Sequence, residues 1–567
     1  MLVAARSLFC GALFTALIST GSLAVAQQPP VTVSTVPGKQ ARGAKMGAPE
    51  LPLTLQKAVT LALEHNINLE VSRLSLAQAS EGFIAATGIF DPVAQARLAA
   101  SSATTPATSE LIGAQVNTIR QRTFNLGLSK LLPTGAQASV TWNNSRSKTK
   151  SSYEFLNPSY NSGLTLSLTQ PLLQGFGTDV TRSNIEVARR NRKISLLEFE
   201  RIVTSTLQQV ESAYWNLVYT RENLKVQQES LKLAQDLLDQ TRTRVRIGTS
   251  APIDIVQSEA TVAAREQSII SAENAVQAAA DQLKQLMGFE NLDDWASKIV
   301  PLDSLGEPGG PVDLNEAIKT GLEQRVELKE QVVNEQIRRI GVLVAANATK
   351  PQLDMFLNYG RIGVDGTQTL PGLGVTSTGG WGDAIQQIWN QNYEQWSAGV
   401  NFSFPLGNHE AKATLAQRRF QLDSATQAIA AERQQIIAEV RQAVRNLADS
   451  AKSITASVKA RELAEQNLDA EQKKFANGMS TNYQVLQIQA DLAAAQVAEL
   501  NSRVAYRNSR VAYDVAVGSL LPRMGIALED IGLAKEPHTA LKNVEWLKYG
   551  HWSHALPPEP EFQGGKE

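Results

Sequence analysis

The sequence contains almost no cysteine and has no excess of charge of one sign. Its 567 residues include one cysteine, Cys10, and 54 basic against 55 acidic side chains, a formal net charge of −1. A single thiol cannot form an internal disulfide or a cysteine-based metal site. A balanced charge also argues against a protein that binds nucleic acid through its phosphates. Disulfide-rich scaffolds and basic nucleic-acid binders are therefore excluded.

Long hydrophobic runs are scarce as well. Mean hydropathy is −0.19, whereas each membrane-spanning helix needs about 20 mostly apolar residues, so a polytopic inner-membrane transporter is excluded. One run, Leu8 to Ala26, follows Arg6 and ends in Ala24-Val25-Ala26, which predicts a cleavable secretory signal. An uncleaved anchor is the alternative. We expect an exported protein whose mature chain begins at Gln27 and has no thiol.

Motifs of catalysis and metal binding are also missing. The five histidines are scattered, and only His551 and His554 are close, in a proline-rich tail without an evident third ligand. The glycines between Gly360 and Gly382 do not follow a strand and open a helix, as a phosphate-binding loop requires, and predict a flexible surface loop. We therefore expect neither an enzyme nor a bound cofactor or metal.

The chain is predicted to be a tandem repeat. An offset of 259 residues aligns the first part of each copy, and an offset of 230 aligns the last part. The aligned pairs include Leu53 with Val312, Pro92 with Pro351, Gly248 with Gly478, and Gly288 with Gly518. Matches at equal separations in both halves are the mark of an internal repeat.

The offsets, the signal sequence and the composition of the two ends together predict a division of the chain into six parts. They are a signal peptide (1–26), a disordered N-terminal extension (27–50), a first repeat (51–288), a linker (289–311), a second repeat (312–518) and a C-terminal tail (519–567).

Each repeat is predicted to contain one helix, a strand region, a long helix, a tight turn and a final helix. The first helix is expected from Thr54 to about Thr87, and from Asp313 to about Thr349. The long helix from Ser183 carries apolar residues every seven positions up to Val245, a spacing typical of extended helix pairing. Its length matches the two shorter helices of its repeat added together. We therefore expect those two to stack end to end beside it, with the turns at Gly248 and Gly478 far from the strands.

The strand regions alternate apolar and polar residues. Leu164, Leu166 and Leu168 alternate with threonine and serine, and Ala398 to Phe404 behaves likewise. This pattern favours the wall of an outer-membrane barrel, although a half-buried sheet of a soluble domain would show it too. Four strands cannot close a barrel, for which about eight are needed, so oligomerisation is expected. An additional alternating hairpin near residues 122–144 could belong to the wall or extend beyond it.

In its motifs the sequence resembles the outer-membrane efflux protein family, the TolC-like outer-membrane factors. The resemblance covers about residues 51–534. It rests on the opening LTLQKAVTLALEHNINLEV, on the junctions LTLSLTQPLLQG and AGVNFSFPLGN, and on the tip segments RIGTSAPIDIVQSEA and FANGMSTNYQVLQIQADLAAA. Each fragment alone is weak, but their order and duplication are specific.

The resemblance implies a mixed, mostly α fold. Three chains would each give four strands to a twelve-stranded outer-membrane β-barrel, continued by a long periplasmic α-helical barrel. The implied partners are two further copies of the chain, a periplasmic adaptor (membrane fusion) protein, an inner-membrane pump and outer-membrane lipid, with no nucleic acid. The implied location is the outer membrane, with a long periplasmic extension.

The resemblance also assigns the two tips a function. Contact with the adaptor would involve Gly248, Thr249, Ser250, Gly478, Met479 and Ser480, and the gate constriction would involve Asp254, Gln484 and Gln487. Members with a charged gate carry acidic residues six and nine positions after the second glycine, where this chain has the two glutamines. The positions that would restrain Asp254 are Phe475 and Ser480. We expect a tip that is weakly held closed and is not blocked by cations, because glutamine carries no charge.

Three functions remain in contention at this point. The first is the exit duct of a tripartite efflux system for small molecules. The second is the outer-membrane channel of a type I protein secretion machine. The third is a periplasmic coiled-coil scaffold without a channel, which would extract with soluble proteins instead of requiring detergent.

Overall fold

The computed structural model describes residues 50–106, 116–151, 154–370, 374–390 and 393–527. The predicted signal peptide, nearly all of the predicted N-terminal extension and the tail from residue 528 lie outside the described residues. Twelve α-helices are present in the described part: α1 Leu55–His65, α2 Ile67–Thr87, α3 Thr178–Thr181, α4 Ser183–Arg246, α5 Ile253–Leu286, α6 Leu292–Ala296, α7 Leu314–Gln324, α8 Val326–Ala348, α9 Trp381–Asn390, α10 His409–Ala476, α11 Asn482–Val517 and α12 Leu520–Met524.

The described strands form two sheets. They are β1 Glu50–Leu53, β2 Val93–Pro106, β3 Val116–Leu131, β4 Gln137–Lys148, β5 Leu156–Pro171, β6 Lys298–Pro301, β7 Gln352–Leu370, β8 Gly374–Thr378 and β9 Glu394–Ser403. β1 and β6 pair in parallel, so the predicted linker contains a strand that pairs with the start of the first repeat. The other seven strands form one antiparallel sheet.

The first helix of each repeat is broken in two, and the prediction of one continuous helix is wrong. The backbone is extended at Asn66 and Arg325, at ψ 121° and 127°. Asn66 caps α2 by accepting hydrogen bonds from the next residues, and its amide donates to the Leu286 carbonyl at 2.8 Å. Arg325 likewise donates to the Ala516 carbonyl at 3.4 Å. The last helix of each repeat ends against this break, a long-range contact that helical periodicity does not reveal.

The two long helices are confirmed, with 64 residues in α4 and 68 in α10. Their predicted apolar positions face the neighbouring helices, and Val210, Leu217 and Val440 are fully buried. α4 packs against α1, α2 and α5, and α10 packs against α7, α8 and α11. Each long helix thus runs beside two shorter segments stacked end to end, as their lengths predict.

The core of the helical part lies where the repeats join. Tyr214 of α4 is fully buried there with Phe199, Leu207 and other apolar side chains. Its hydroxyl donates to the Leu53 carbonyl at 3.0 Å and to the Asp303 carboxylate at 2.7 Å. Burial, together with the hydrogen bond to Asp303, raises the pKa of Tyr214 well above its usual range. This contact fixes the β1–β6 pair to the long helix.

The large sheet contains the additional hairpin of the first repeat. Its order is β2-β3-β4-β5-β7, and β7 then pairs with β9 near its start and with β8 near its end. The hairpin β3–β4 therefore lies between β2 and β5 within the sheet. Six of the seven strands of this sheet have 10 residues or more, and β7 has 19.

The glycine-rich stretch of the second repeat is mainly regular structure. Gly360, Gly363 and Gly366 lie within β7, and Gly374 begins β8. The prediction of a flexible loop is wrong for this part, because sequence glycines alone do not show that β5 pairs along β7 as far as Gln368.

One face of the sheet carries an apolar band, and the opposite face is polar at the same level. Residues paired directly across neighbouring strands point to the same face. One such row, from β2 to β9, consists of Ala94, Leu128, Val140, Leu166, Tyr359 and Trp396. The next row consists of Val93, Ser129, Ser139, Ser167, Asn358 and Ser397. The apolar row is unbroken across six strands, as lipid contact on one face requires.

None of the helices in the described residues is long and apolar enough to cross a membrane.

Candidate functional site: the two helical tips

The predicted site residues lie in two hairpin turns, or in the first turns of the helices that follow them, at the end of the long helices opposite the sheet. The first tip, residues 247–252, joins α4 to α5, and the second tip, residues 477–482, joins α10 to α11. At 1.5 Å per residue, α4 places the first tip about 95 Å from the end of the helix nearest the sheet. The geometry thus separates the tips from the sheet, as the repeat analysis predicts.

Both tips end the long helix with the same motif. Gly248 and Gly478 have φ of 82° and 77°, the left-handed region that favours glycine. The Gly248 N–H donates to the Val245 carbonyl and the Thr249 N–H to the Arg244 carbonyl, at 3.1 and 2.9 Å. Bonds of the same lengths are made 230 residues later by Gly478 and Met479. This arrangement satisfies the last carbonyls of both helices and reverses the chain.

The two tips differ in how the next helix begins. Pro252 precedes α5, and no side chain caps that helix. At the second tip Thr481 caps α11, and its hydroxyl accepts a hydrogen bond from the Gln484 N–H at 3.3 Å. The residue of the second repeat that corresponds to Pro252 is Asn482, which has both donors and acceptors.

Asn482 joins the second tip to the first hairpin. Its side-chain oxygen accepts from the Thr241 hydroxyl at 3.1 Å, and its amide donates to the Ser258 hydroxyl at 2.9 Å and the Asp254 carbonyl at 3.2 Å. Thr241 and Ser258 are fully buried and Asn482 is 3% exposed. Buried polar groups of this kind are costly to leave without partners. The two hairpins are therefore joined by a buried polar contact.

Arg244 makes a second link between the hairpins. Its guanidinium donates to the Phe475 carbonyl at 2.6 Å and to the Ala476 carbonyl at 3.2 Å. It also lies 4.0 Å from the centre of the Phe475 ring, a cation–π contact. A positive group at the last carbonyls of α10 is favoured by the dipole of that helix.

The second tip is also held to its own helix. Glu471 of α10 accepts hydrogen bonds from the Ser480 hydroxyl and from Lys474, the latter at 3.0 Å. These two donors lower the pKa of Glu471 from its ordinary value, with the Ser480 hydroxyl contributing most. Ser480 is therefore engaged by a residue of its own hairpin.

The three predicted gate residues occupy different surroundings. Gln484 and Gln487 are exposed on α11 one turn apart, and Gln487 donates to Asp491 at 3.1 Å. Asp254 lies half-buried on the first hairpin, and its carbonyl, not its carboxylate, contacts the second hairpin. Among the described residues no side chain pairs with that carboxylate. Within one chain, therefore, Asp254 lies near the second tip but makes no hydrogen bond to Gln484 or Gln487.

Sequence reasoning missed the residues that join the hairpins. Asn482 stands in an alternating polar and apolar stretch, and only its alignment with Pro252 distinguishes it. Its partners Thr241 and Ser258 are ordinary polar residues of long helices. The residue types gave no signal that these three meet, because the contact is between the two repeats.

Comparison with known proteins agrees with this architecture. The family model described as outer membrane efflux protein matches residues 132–289 and 317–519. The outer membrane protein TolC of Escherichia coli (strain K12) is 24% identical over 340 residues, an alignment that spans 59% of this chain and 65% of that protein. The chain thus aligns with just under two thirds of the length of that relative.

Solved structures show the same fold. The Campylobacter jejuni CmeC outer membrane channel is 17% identical and gives a TM-score of 0.60, covering 82% of this chain and 85% of that one. VceC, an outer membrane protein from Vibrio cholerae, is 15% identical with a TM-score of 0.57, covering 82% and 96%.

The fold is that of solved outer-membrane channel proteins, in which a β-barrel part is continued by an α-helical barrel part. The chain belongs to the outer membrane efflux protein family. This family is a class of channels and not of enzymes, and it places the sheet in the outer membrane and the helices in the periplasm.

Proposed function

We propose that this protein is the exit duct of a tripartite efflux system. Three copies would form a channel that receives small molecules from an inner-membrane pump through a periplasmic adaptor. The proposal rests on two features found together in one chain. One is a sheet with an apolar row of the kind that faces lipid, and the other is a pair of helical hairpins whose tips lie at the end of the long helices opposite that sheet. A scaffold without a channel would not need an apolar row across six strands.

A ring of copies is needed because one chain leaves the large sheet open. β2 and β9 each pair along only one edge within the described residues. Unpaired backbone groups in lipid cost several kcal/mol each, so sheets cross membranes only as closed barrels. Three chains satisfy this requirement, as the family resemblance implies.

The tips are proposed to form the gate and the adaptor contact. Gly248, Thr249 and Ser250 of the first tip, with Gly478, Met479 and Ser480 of the second, form the outermost turns; Met479 is 71% exposed, which suits contact with a partner. Asp254, Gln484 and Gln487 would line the constriction. Closure would be held by the Asn482 and Arg244 contacts, which tie the second hairpin to the first.

The gate is proposed to lack a strong cation site. Glutamine side chains at positions 484 and 487 can narrow a pore by size and hydrogen bonding but do not attract cations by charge. Divalent cations should leave the wild-type conductance unchanged, whereas replacing both glutamines by aspartate should make it sensitive to them. Cation block of the wild type that disappears on substitution of Gln484 would contradict this view of the gate.

The proposed function is tested by purifying the protein from outer membranes in mild detergent. We expect a particle of about three times the chain mass of 61.4 kDa that conducts ions in planar bilayers. Deletion of the gene should also sensitise cells to small toxic molecules, and variants in the outermost turns should lose adaptor binding. A soluble monomer without conductance would contradict the proposal and favour the scaffold.

A further inference from the structure

The two repeats contribute unequal numbers of strands to the large sheet. In the second repeat β7 pairs directly with β9. In the first repeat the corresponding strands, β2 and β5, are separated by the hairpin β3–β4. Both hairpin strands are paired along nearly their whole length, at the same level as their neighbours. The chain thus offers six long strands, in the order β2-β3-β4-β5-β7-β9, instead of the four that the resemblance implies.

Within the part of the chain that the structure describes, the two outer strands of this set pair along one edge only, and they point in opposite directions. Every residue of β2 is exposed, and nine of the ten residues of β9 are exposed. Because all six strands alternate in direction, β9 of one copy and β2 of another would meet antiparallel. The total number of strands would be even, as in bacterial single-chain barrels.

The internal repeat also specifies the register of that contact. β5 and β7, which join the two repeats within one chain, pair Leu168 with Leu357 and Ser167 with Asn358. The junctions LTLSLTQPL and AGVNFSFPL align β5 with β9, and Pro92 with Pro351 aligns β2 with β7. The corresponding pairs between copies are Phe402 with Leu98 and Asn401 with Ala99.

The side chains at this contact fit each other. Leu98 and Phe402 are 78% and 67% exposed in one chain, among the most exposed large apolar residues of the sheet. Their counterparts within the chain, Leu168 and Leu357, are an apolar pair on the same face. Placing Leu98 opposite Phe402 would continue the apolar face from one copy to the next.

We propose that β9 of each copy pairs with β2 of the next in this register, so that three copies close a barrel of eighteen strands. This inference rests on the proposed trimeric duct. Since barrel diameter grows roughly linearly with strand number, the barrel would be about 1.5 times as wide as one of twelve strands. The hairpin β3–β4 is then a wall element that widens the exit of the duct.

Paired cysteines test the contact. The only native cysteine, Cys10, lies in the predicted signal peptide, outside the described residues, so the introduced pair would supply the only thiols of the mature chain. Ala99→Cys with Asn401→Cys, in the full chain purified from outer membranes, should form disulfides between copies and give dimers and trimers on non-reducing gels. Ser167→Cys with Asn358→Cys is the matched reference, since it has the same geometry within one chain and should leave a monomer. Ala99→Cys with Ser397→Cys, about four residues out of register, should cross-link at least about tenfold less, because such residues are too far apart.

A further pair distinguishes six strands per chain from four. If the hairpin left the wall, β2 would pair with β5 as β7 pairs with β9, and Arg97 would lie opposite Thr165. In the six-stranded sheet these residues are three strand spacings apart, about 14 Å. Arg97→Cys with Thr165→Cys should therefore fail to cross-link, and an efficient disulfide there would overturn the inference.

The particle mass separates this inference from the proposed function. A trimer in which the reference pair cross-links but the Ala99–Asn401 pair does not would refute the edge pairing and leave the duct standing. A monomer by mass would refute both.

Discussion

Replacement of Asn482 by alanine should weaken the contact between the two hairpins. The change removes three hydrogen bonds, at 2.9 to 3.2 Å. Ser258 keeps a hydrogen bond to the Asp254 carbonyl, but the buried Thr241 hydroxyl has no other partner among the described residues. An unpaired buried polar group costs about 1–3 kcal/mol. The variant should therefore destabilise the joined state of the hairpins by about 2 kcal/mol.

This loss should shift the gate toward opening. If the hairpins separate when the tip opens, water then solvates Thr241 and Ser258 in both the wild type and the variant. The destabilisation applies only to the closed state, and about 2 kcal/mol corresponds to a roughly 30-fold shift in the equilibrium between closed and open states. Single-channel recording in planar bilayers should show a higher open fraction or a larger mean conductance.

Asn477→Ala is the matched control for this experiment. Asn477 lies in the same tip, but its amide donates to the Lys473 carbonyl of its own helix at 2.9 Å and is exposed. This variant should conduct as the wild type does. If Asn482→Ala leaves the conductance unchanged, or if Asn477→Ala raises it equally, the contact between the hairpins does not hold the gate closed.

Three further predictions concern stability. Gly288→Ala should lower the free energy of unfolding by several kcal/mol, because a Cβ there would lie 2.1 Å from a backbone oxygen. Gly248→Ala, with φ of 82° but open space around it, should lower it by only about 1–2 kcal/mol. Equal losses of stability in thermal melts of the two variants would contradict this reasoning. Tyr214→Phe should lower the free energy of unfolding by about 1–3 kcal/mol, and an unchanged denaturant midpoint would show that its hydrogen bonds to Leu53 and Asp303 contribute nothing. Burial raises the pKa of Glu330 and Glu432 above 4.5, so the folded state binds more protons and stability should rise as the pH falls from neutral toward that value. Replacing both by glutamine should flatten this dependence of the melting temperature on pH, and an unaltered slope would assign it to other groups.

Much of the helical architecture was predictable from the sequence. Apolar residues every seven positions predicted α4 nearly to its end, and the glycines at 248 and 478 predicted both turns. These features depend on local periodicity and on the backbone preference of glycine, which each repeat carries in its own residues. The duplication added the order of elements and the stacking of two short helices beside one long helix.

The strands were predicted less completely for a physical reason. Alternation showed that β5 and β9 have an apolar face, but it could not show which strands lie beside them. Whether the hairpin β3–β4 joins the sheet depends on backbone hydrogen bonds to β2 and β5, and an alternating pattern does not show whether consecutive strands pair with one another. In β7 only the first part, Leu353 to Tyr359, gave a weak alternation, and the pairing of the glycine-rich remainder with β5 was visible only in the fold.

The sequence by itself determined the repeat, the long helices, the tip turns and the family. Only the tertiary structure decided the breaks at Asn66 and Arg325, the six long strands of the large sheet, and the position of Asn482 between Thr241 and Ser258. The first group follows from interactions between residues near in sequence, or from matching one repeat with the other. The second group consists of contacts between separate elements, most of them distant in sequence, and a residue such as Asn482 acquires its role only because folding buries it against its partners.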